Sequence, residues 1–172
     1  MNVGQTYNGT NWYQTLQAFL PFDTSAIPDD ATIGTPELKL SRESDNSVTD
    51  FILQVYAYDF GATVTTADYR TRTQAAALTP LLATYDTAAG WGAGYRVFTS
   101  TGDFAAAINK TGETRLFVVS DRFIAGTSPA GKEYVAFAYQ GVANRAPTLT
   151  VTYTEAATGC PKMSDHYARL RR

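Results

Sequence analysis

The chain has 172 residues, of which 44% are hydrophobic and 13% aromatic, enough for one domain with a buried core and too few for two. Its formal net charge of −2 argues against a nucleic-acid-binding module, and no run of residues is apolar enough to span a bilayer. The single cysteine, Cys160, excludes an intrachain disulfide, and with the single histidine, His166, it cannot form a four-ligand zinc site.

The first clear element is a strand over about residues 15–22, which is followed by a turn. Its apolar residues recur at every second position: Leu16, Ala18, Leu20 and Phe22. Pro21 has no backbone N–H to donate, so we expect a bulge or a sheet edge at this position. The turn falls at residues 27–30, where Pro28 fixes φ and two aspartates can bond to nearby amides.

Six more short segments show an alternating or β-rich pattern between turn residues. They are about residues 35–41, 50–58, 95–99, 114–120, 133–139 and 147–153. In the last of them Leu149 and Val151 alternate with threonines, as in a half-buried strand. The sequence therefore predicts an all-β protein, an antiparallel β-sandwich.

Two segments have the pattern of short helices. Residues 65–78 begin with threonines suited to capping and end before Pro80. Residues 103–112 start with an N-cap aspartate, end at a glycine and place Phe104 and Ile108 on one side. We expect both helices to lie over the ends of the sandwich.

The composition changes after Glu155, which divides the chain into a sandwich domain of residues 1–155 and a linker with a basic tail of residues 156–172. The tail has a net charge of +3, which leaves −5 for the rest. Its candidate docking residues are Tyr167, Arg169, Leu170, Arg171 and Arg172. Two interpretations stay open: a solvated, mobile end, or docking of the arginines on an acidic patch of a neighbouring subunit.

Several segments in the same order resemble one family. They are residues 3–8, 19–33, 38–40, 66–69, 109–112, 120–122, 131–135 and 147–153. This set is similar to the DNRLRE-type module, a carbohydrate-binding-like jelly roll found in large extracellular proteins and in phage virion proteins. The resemblance implies a jelly-roll-like sandwich with one or two short helices. It also implies a further strand before Val3, and a sandwich without that strand has an exposed edge.

Catalytic chemistry has little support in the sequence. The only histidine lies in the tail, so a Ser-His-Asp arrangement within the sandwich is excluded, and most carboxylates fall at turns and caps. We therefore expect no enzymatic activity and no cofactor. The oxygen-rich segment of residues 44–50 could supply ligands for a structural calcium ion, although it lacks EF-hand spacing.

Four aromatic residues lie near glycine-rich or loop-like sequence: Trp12, Tyr13, Trp91 and Tyr95. Such rings can stack on sugar rings, or they can pack in the core and at protein interfaces. Both interpretations are open for these residues.

Together these features favour a non-enzymatic virion structural protein of a tailed phage, a capsid decoration or a tail or fibre component. Its expected partners are other virion subunits and further copies of itself, with no nucleic acid and no membrane. The first residues lack the features of a signal peptide, so we expect synthesis in the host cytoplasm and location in the virion. The alternative is a carbohydrate-binding module that mediates attachment to glycans.

Overall fold

The computed structural model describes residues 1–7, 9, 13–89, 94–139 and 141–156. Most of these residues form short strands, which are β1 (Asn2–Tyr7), β2 (Tyr13–Leu16), β3 (Ala18–Asp23), β4 (Thr32–Ile33), β5 (Glu37–Asp45), β6 (Ile52–Ala57), β7 (Leu81–Asp86), β8 (Tyr95–Val97), β9 (Thr99–Ser100), β10 (Glu113–Ser120), β11 (Lys132–Phe137), β12 (Thr148–Thr150) and β13 (Tyr153–Thr154). The helices are short, α1 (Arg72–Ala76) and α2 (Asp121–Ala125), with 3-10 turns at Thr66–Asp68 and Gly102–Ala107.

The strands form two large antiparallel sheets and one small two-stranded antiparallel sheet. The first sheet has the order β12-β5-β11-β1-β2, and β8 also pairs with β5. The second sheet has the order β3-β10-β6-β7-β9, and β13 pairs with β4 apart from both. Strand β1 is paired on both sides, with β11 and β2, so the start of the described chain is not a sheet edge.

The inner faces of the two sheets share one hydrophobic core. The first sheet contributes Val3, Leu38, Leu40, Val135 and Phe137, and the second contributes Ala18, Leu20, Leu53, Val55, Leu116 and Val118. These side chains alternate along their strands, as expected for two sheets packed face to face. The predicted all-β antiparallel sandwich is confirmed.

The outer face of the second sheet is buried as well. Tyr56, Phe117 and Val119 pack there beneath Ala75 of α1 and the partly buried Phe123 and Ile124 of α2. The helix predicted over residues 65–78 thus forms only a 3-10 turn and one short α-helix, and it covers a face of the sheet. Our expectation that it caps a sandwich end was wrong, because the apolar outer face of β10 needs cover.

Two predicted strands are each divided between the sheets. Residues 15–22 break at Gln17 into β2 of the first sheet and β3 of the second, and residues 95–99 break at the buried Phe98 into β8 and β9. Strands β1 and β7 and helix α2 were not predicted as elements.

No helix among the described residues is long and apolar enough to cross a membrane.

Gly4 lies where β1 and β11 approach closely. Its φ is +135°, and a Cβ atom on it would lie 2.2 Å from the carbonyl oxygen of Glu133. No L-amino acid side chain fits this approach, so Gly4 sets the pairing of two central strands.

Candidate functional site: an apolar groove beside strand β3

Strand β3 is an edge strand in the described part of the chain, where it pairs only with β10. Arg115 of β10 lies opposite Pro21, and its carbonyl oxygen accepts from Tyr58 N–H on the far side of β10. The backbone N–H and C=O groups of successive residues in an antiparallel strand point to alternate sides. The backbone groups of Leu20 and Phe22 therefore bond to β10, and the backbone groups of Phe19 and Pro21 point outward, away from β10. The edge position expected for Pro21 is confirmed, and the pairing around it shows no bulge.

A groove of about 360 Å³ follows this open edge. Residues 17–22 form its floor, and Met1, Val64, Tyr139 and Pro147 form its rim. No charged side chain lines it. Val64 is 43% exposed and Tyr139 is 62% exposed, so apolar surface at the rim faces water. We call this surface the β3 groove.

A second, more open depression continues the β3 groove past Val64. It shares Phe19 and Val64 with the first and adds Thr65, Thr66 and Tyr69. The ring of Tyr69 is 45% exposed. The two depressions together form a continuous apolar surface, and exposed surfaces of this kind are typical of interaction sites.

The wall formed by residues 64–70 is held to the start of β3 by one side chain. Gln17 Nε2 donates to the carbonyl oxygen of Arg70 at 2.7 Å, and Arg70 N–H donates to Gln17 Oε1 at 3.0 Å. Tyr69 Oη also donates to the carbonyl oxygen of Thr15 at 3.1 Å. These bonds replace strand pairing at this point and fix the wall in place.

The same wall is ordered internally by a capping box. The Asp68 carboxylate accepts from Thr65 N–H at 2.8 Å and from the Thr65 hydroxyl, and Tyr58 Oη donates to it at 3.3 Å. These hydrogen bonds, first of all the one from Thr65 N–H, lower the pKa of Asp68. The guanidinium of Arg70 lies 3.9 Å from the centre of the Tyr58 ring and covers it.

The floor of the groove is backed by packed aromatic rings. The Phe19 ring centroid lies 5.4 Å from that of Phe117 and 5.5 Å from that of Phe60, in tilted and edge-to-face arrangements. Such contacts anchor one face of Phe19 in the second hydrophobic cluster. The groove is therefore preformed, because both its floor and its wall have fixed neighbours.

The end of β3 beyond Phe22 is acidic. Its acidic residues are Asp23, Asp29, Asp30, Asp59 and Glu113, against Lys110 and Arg115. Arg115 forms ion pairs with both Asp59 and Glu113. The hydrogen bond from Gly61 N–H, and then the bond from Arg115, lower the pKa of Asp59. The Asp59 carboxylate is therefore anionic at neutral pH.

The opposite end of the sandwich contains a buried charge. Glu133 is fully buried, and Arg122 of α2 reaches it with Nε to Oε2 at 2.8 Å and Nη2 to Oε1 at 3.2 Å. Gln5 Nε2 donates both to Glu133 Oε2 at 3.1 Å and to the carbonyl oxygen of Thr127 at 2.7 Å. We call these three residues the Glu133 cluster. Its polar groups satisfy one another, which is typical of a structural role.

Of the four predicted aromatic residues, the structure describes Tyr13 and Tyr95, and it does not bring these two together. Tyr13 on β2 is 60% exposed and stacks on Tyr7, with ring centroids 4.9 Å apart. Tyr95 on β8 donates its hydroxyl to the carbonyl oxygen of Ala146 at 2.9 Å, and three paired strands separate it from Tyr13. Trp12, Trp91 and the tail residues Tyr167, Arg169, Leu170, Arg171 and Arg172 lie outside the described residues.

The segment considered for calcium starts at the end of β5 and continues as a bend, where the Asp45 side chain bonds to Ser47. Asp45 Oδ1 accepts from Ser47 N–H at 2.8 Å and also from the Ser47 hydroxyl. Within the described ranges no group of three or more His, Cys, Asp and Glu side chains could hold a metal ion.

No protein-family model and no curated protein matches this chain. The resemblance to the DNRLRE-type module therefore stays a prediction from the sequence, and the site is interpreted from its own geometry.

Proposed function

We propose that this chain is a non-enzymatic structural protein of a tailed-phage virion, a capsid decoration or a tail or fibre component. It acts through protein–protein contacts and binds neighbouring subunits through the β3 groove. The observation that carries this proposal is a preformed apolar groove beside an open strand edge. The virion setting is supported by the resemblance of the sequence segments given above.

The groove offers two kinds of contact at once. Val64 and Tyr139 on the rim, and Tyr69 in the adjoining depression, are exposed, and their removal from water by a partner lowers the free energy of the complex. The outward backbone groups of Phe19 and Pro21 can bond to an extended segment laid along the strand. Apolar pockets beside a free strand edge favour a partner chain over a small polar ligand.

The fixed wall and floor support the same conclusion. Binding orders fewer groups when the receiving surface is already in place, so less conformational entropy is lost. Identical subunits on a symmetric particle also bind many times over, so a modest contact suffices.

The test is a charge placed on the rim of the groove. Val64→Glu should leave the monomer folded, because Val64 is exposed, but should abolish association with other copies and incorporation into particles. Val48→Glu is the matched control. Val48 is 73% exposed and lies away from the groove. Its N–H donates to the carbonyl oxygen of Lys132 at the start of β11, whereas the carbonyl oxygen of Met1, which lines the groove, accepts from Phe137 N–H at the end of β11.

Sedimentation velocity over a range of concentrations, with co-purification of each variant with phage particles, measures the effect. Unchanged association of Val64→Glu would contradict the proposal.

The second candidate function, carbohydrate binding, is favoured by one observation, the stacked pair of Tyr7 and Tyr13. Their ring planes are 22° apart, so Tyr7 covers one side of the exposed Tyr13 ring and leaves the other open. Glycan-array binding that is lost in Tyr13→Ala and retained in Val64→Glu would favour this function. Binding to no glycan would exclude it.

A further inference from the structure

We propose that the β3 groove receives residues 157–172 from a second copy of this chain. The inference rests on the proposed function, because it names the partner segment for the same groove. Three features of the described residues carry it: where the segment leaves the sandwich, the charge at that place, and the open edge of β3.

The segment leaves the sandwich close to the acidic end of β3. Thr154 of β13 pairs with Thr32 of β4, and the carbonyl oxygen of the adjacent Ala31 lies 3.2 Å from Lys110 Nζ. Thr24, which follows β3, donates its N–H to the carbonyl oxygen of Gly112 at 3.2 Å, two residues from Lys110. The residues after Ala156 therefore start beside this end, and sixteen residues can extend about 50 Å to a neighbouring molecule.

The charge of the segment matches the charge of that end. Residues 157–172 carry Lys162 and three arginines against Asp165, a net +3. The end of β3 carries five carboxylates against two cations, a net −3 among the residues named above. Opposite charge steers the encounter and fixes its register, while the uncharged groove excludes the arginines from its floor.

The edge of β3 selects an extended segment. Phe19 presents both N–H and C=O outward, and Pro21 presents only C=O, so the strand can bond to one added strand over a short length. Successive side chains of a strand point to opposite faces. In an extended segment Ala168 and Leu170 therefore share one face, with Arg172 next along it, and Arg169 and Arg171 lie on the other. The apolar part of the first face, Ala168 and Leu170, would enter the groove, while the arginines would meet water and the acidic end.

This contact joins two different surfaces. Each copy supplies one segment and one groove, so the association is head-to-tail and forms a ring or a filament according to its rotation. A subunit with a blocked groove can still supply its segment to a neighbour, and a subunit with an altered segment can still receive a neighbour's segment in its groove.

Two single-cysteine chains test the inference directly. In the Cys160→Ser background, one chain carries Ala168→Cys in the segment and the other carries Val64→Cys on the groove rim. Mild oxidation of the mixture should give a disulfide-linked heterodimer on a non-reducing gel. Replacing the second chain by one with Val48→Cys should reduce that heterodimer to background.

A heterodimer no more abundant with Val64→Cys than with Val48→Cys would overturn the inference. A chain that carries both Ala168→Cys and Val64→Cys gives a second test. If it forms the disulfide within one molecule and stays monomeric at every concentration, its own segment occupies its groove, and the inference is overturned.

Association of full chains separates this inference from the proposed function. Leu170→Asp should abolish association, and Thr158→Asp, which adds the same charge outside the apolar face, should retain it. If Leu170→Asp associates normally while Val64→Glu does not, the groove has another occupant and only the inference fails. If both associate normally, the proposed function fails as well.

Discussion

The Glu133 cluster and the β3 groove are two places in the described part of the chain where the sandwich departs from an apolar interior and a polar surface. In the first, a fully buried carboxylate is matched inside the chain by Arg122 and Gln5. In the second, apolar rings and strand backbone face water without a described partner. A buried charge whose hydrogen bonds are satisfied within the chain belongs to the fold, whereas an apolar surface left exposed to water indicates binding to another molecule.

The largest effect is expected from removing the cation of the Glu133 cluster. Arg122→Met leaves Glu133 buried without its ion pair and should lower the free energy of unfolding by about 3 kcal/mol or more. Lys39→Met is the matched control, because Lys39 and Glu37 form a half-exposed pair at the surface, worth at most about 1 kcal/mol. Urea denaturation measures both. Equal losses for the two variants would show that the cluster does not stabilise the fold.

A smaller effect is expected at the wall of the groove. Gln17→Ala removes two hydrogen bonds to the backbone of Arg70 and should cost about 1–3 kcal/mol. Because the loss is local, the Arg70 amide should exchange its hydrogen faster while the amides of β10 stay protected. Hydrogen exchange followed by NMR checks this. An Arg70 amide that stays as protected as before would mean that other contacts hold the wall.

The edge position of Pro21 predicts a change in association with little change in stability. Pro21→Val restores an outward N–H and removes none of the bonds to β10, so the free energy of unfolding should change by about 0.5 kcal/mol or less. The restored donor should increase non-specific association of the open edge, measured by light scattering. A strongly destabilised variant would place Pro21 in a closed strand pair instead.

The smallest effect is a pH dependence at the wall. The folded pKa of Asp68 lies below its unfolded value, so its stabilisation is present above the unfolded pKa, near 4, and is lost as pH falls through the folded pKa. The protection factor of the Thr65 amide, which is the intrinsic exchange rate at each pH divided by the observed rate, should be lower at pH 3 than at pH 7 in the native chain. Asp68→Asn should remove most of that pH dependence, and an equally strong dependence in this variant would exclude Asp68 as its source.

The sequence predicted the strands whose pattern is local. Residues 114–120 became β10 and residues 50–58 contain β6, because both carry dense β-branched and aromatic residues. The sequence did not predict the breaks at Gln17 and Phe98. Where a strand passes from one sheet to the other, apolar and polar residues still alternate along it, so only the tertiary packing reveals the break. Strand β1 was hidden by Gly4, whose role depends on the neighbouring Glu133 backbone.

The candidate site was less predictable than the fold. Pro21 alone signalled an edge, and that signal was correct. Val64 and Tyr139 come from loops far along the chain, and no local pattern indicates that they meet beside β3. Glu133 did leave a signal, because it alternates in phase with the buried Val135 and Phe137, so its side chain had to point inward.

The central claim is that the open edge of β3 becomes paired when copies of this chain associate. Hydrogen exchange at the Phe19 amide, measured in the monomer and in the assembled state, tests it most directly, with the Leu20 amide as the internal reference already bonded to β10. We expect the Phe19 amide to become protected on association and the Leu20 amide to be protected in both states. A Phe19 amide that exchanges equally fast in the assembled protein would contradict it.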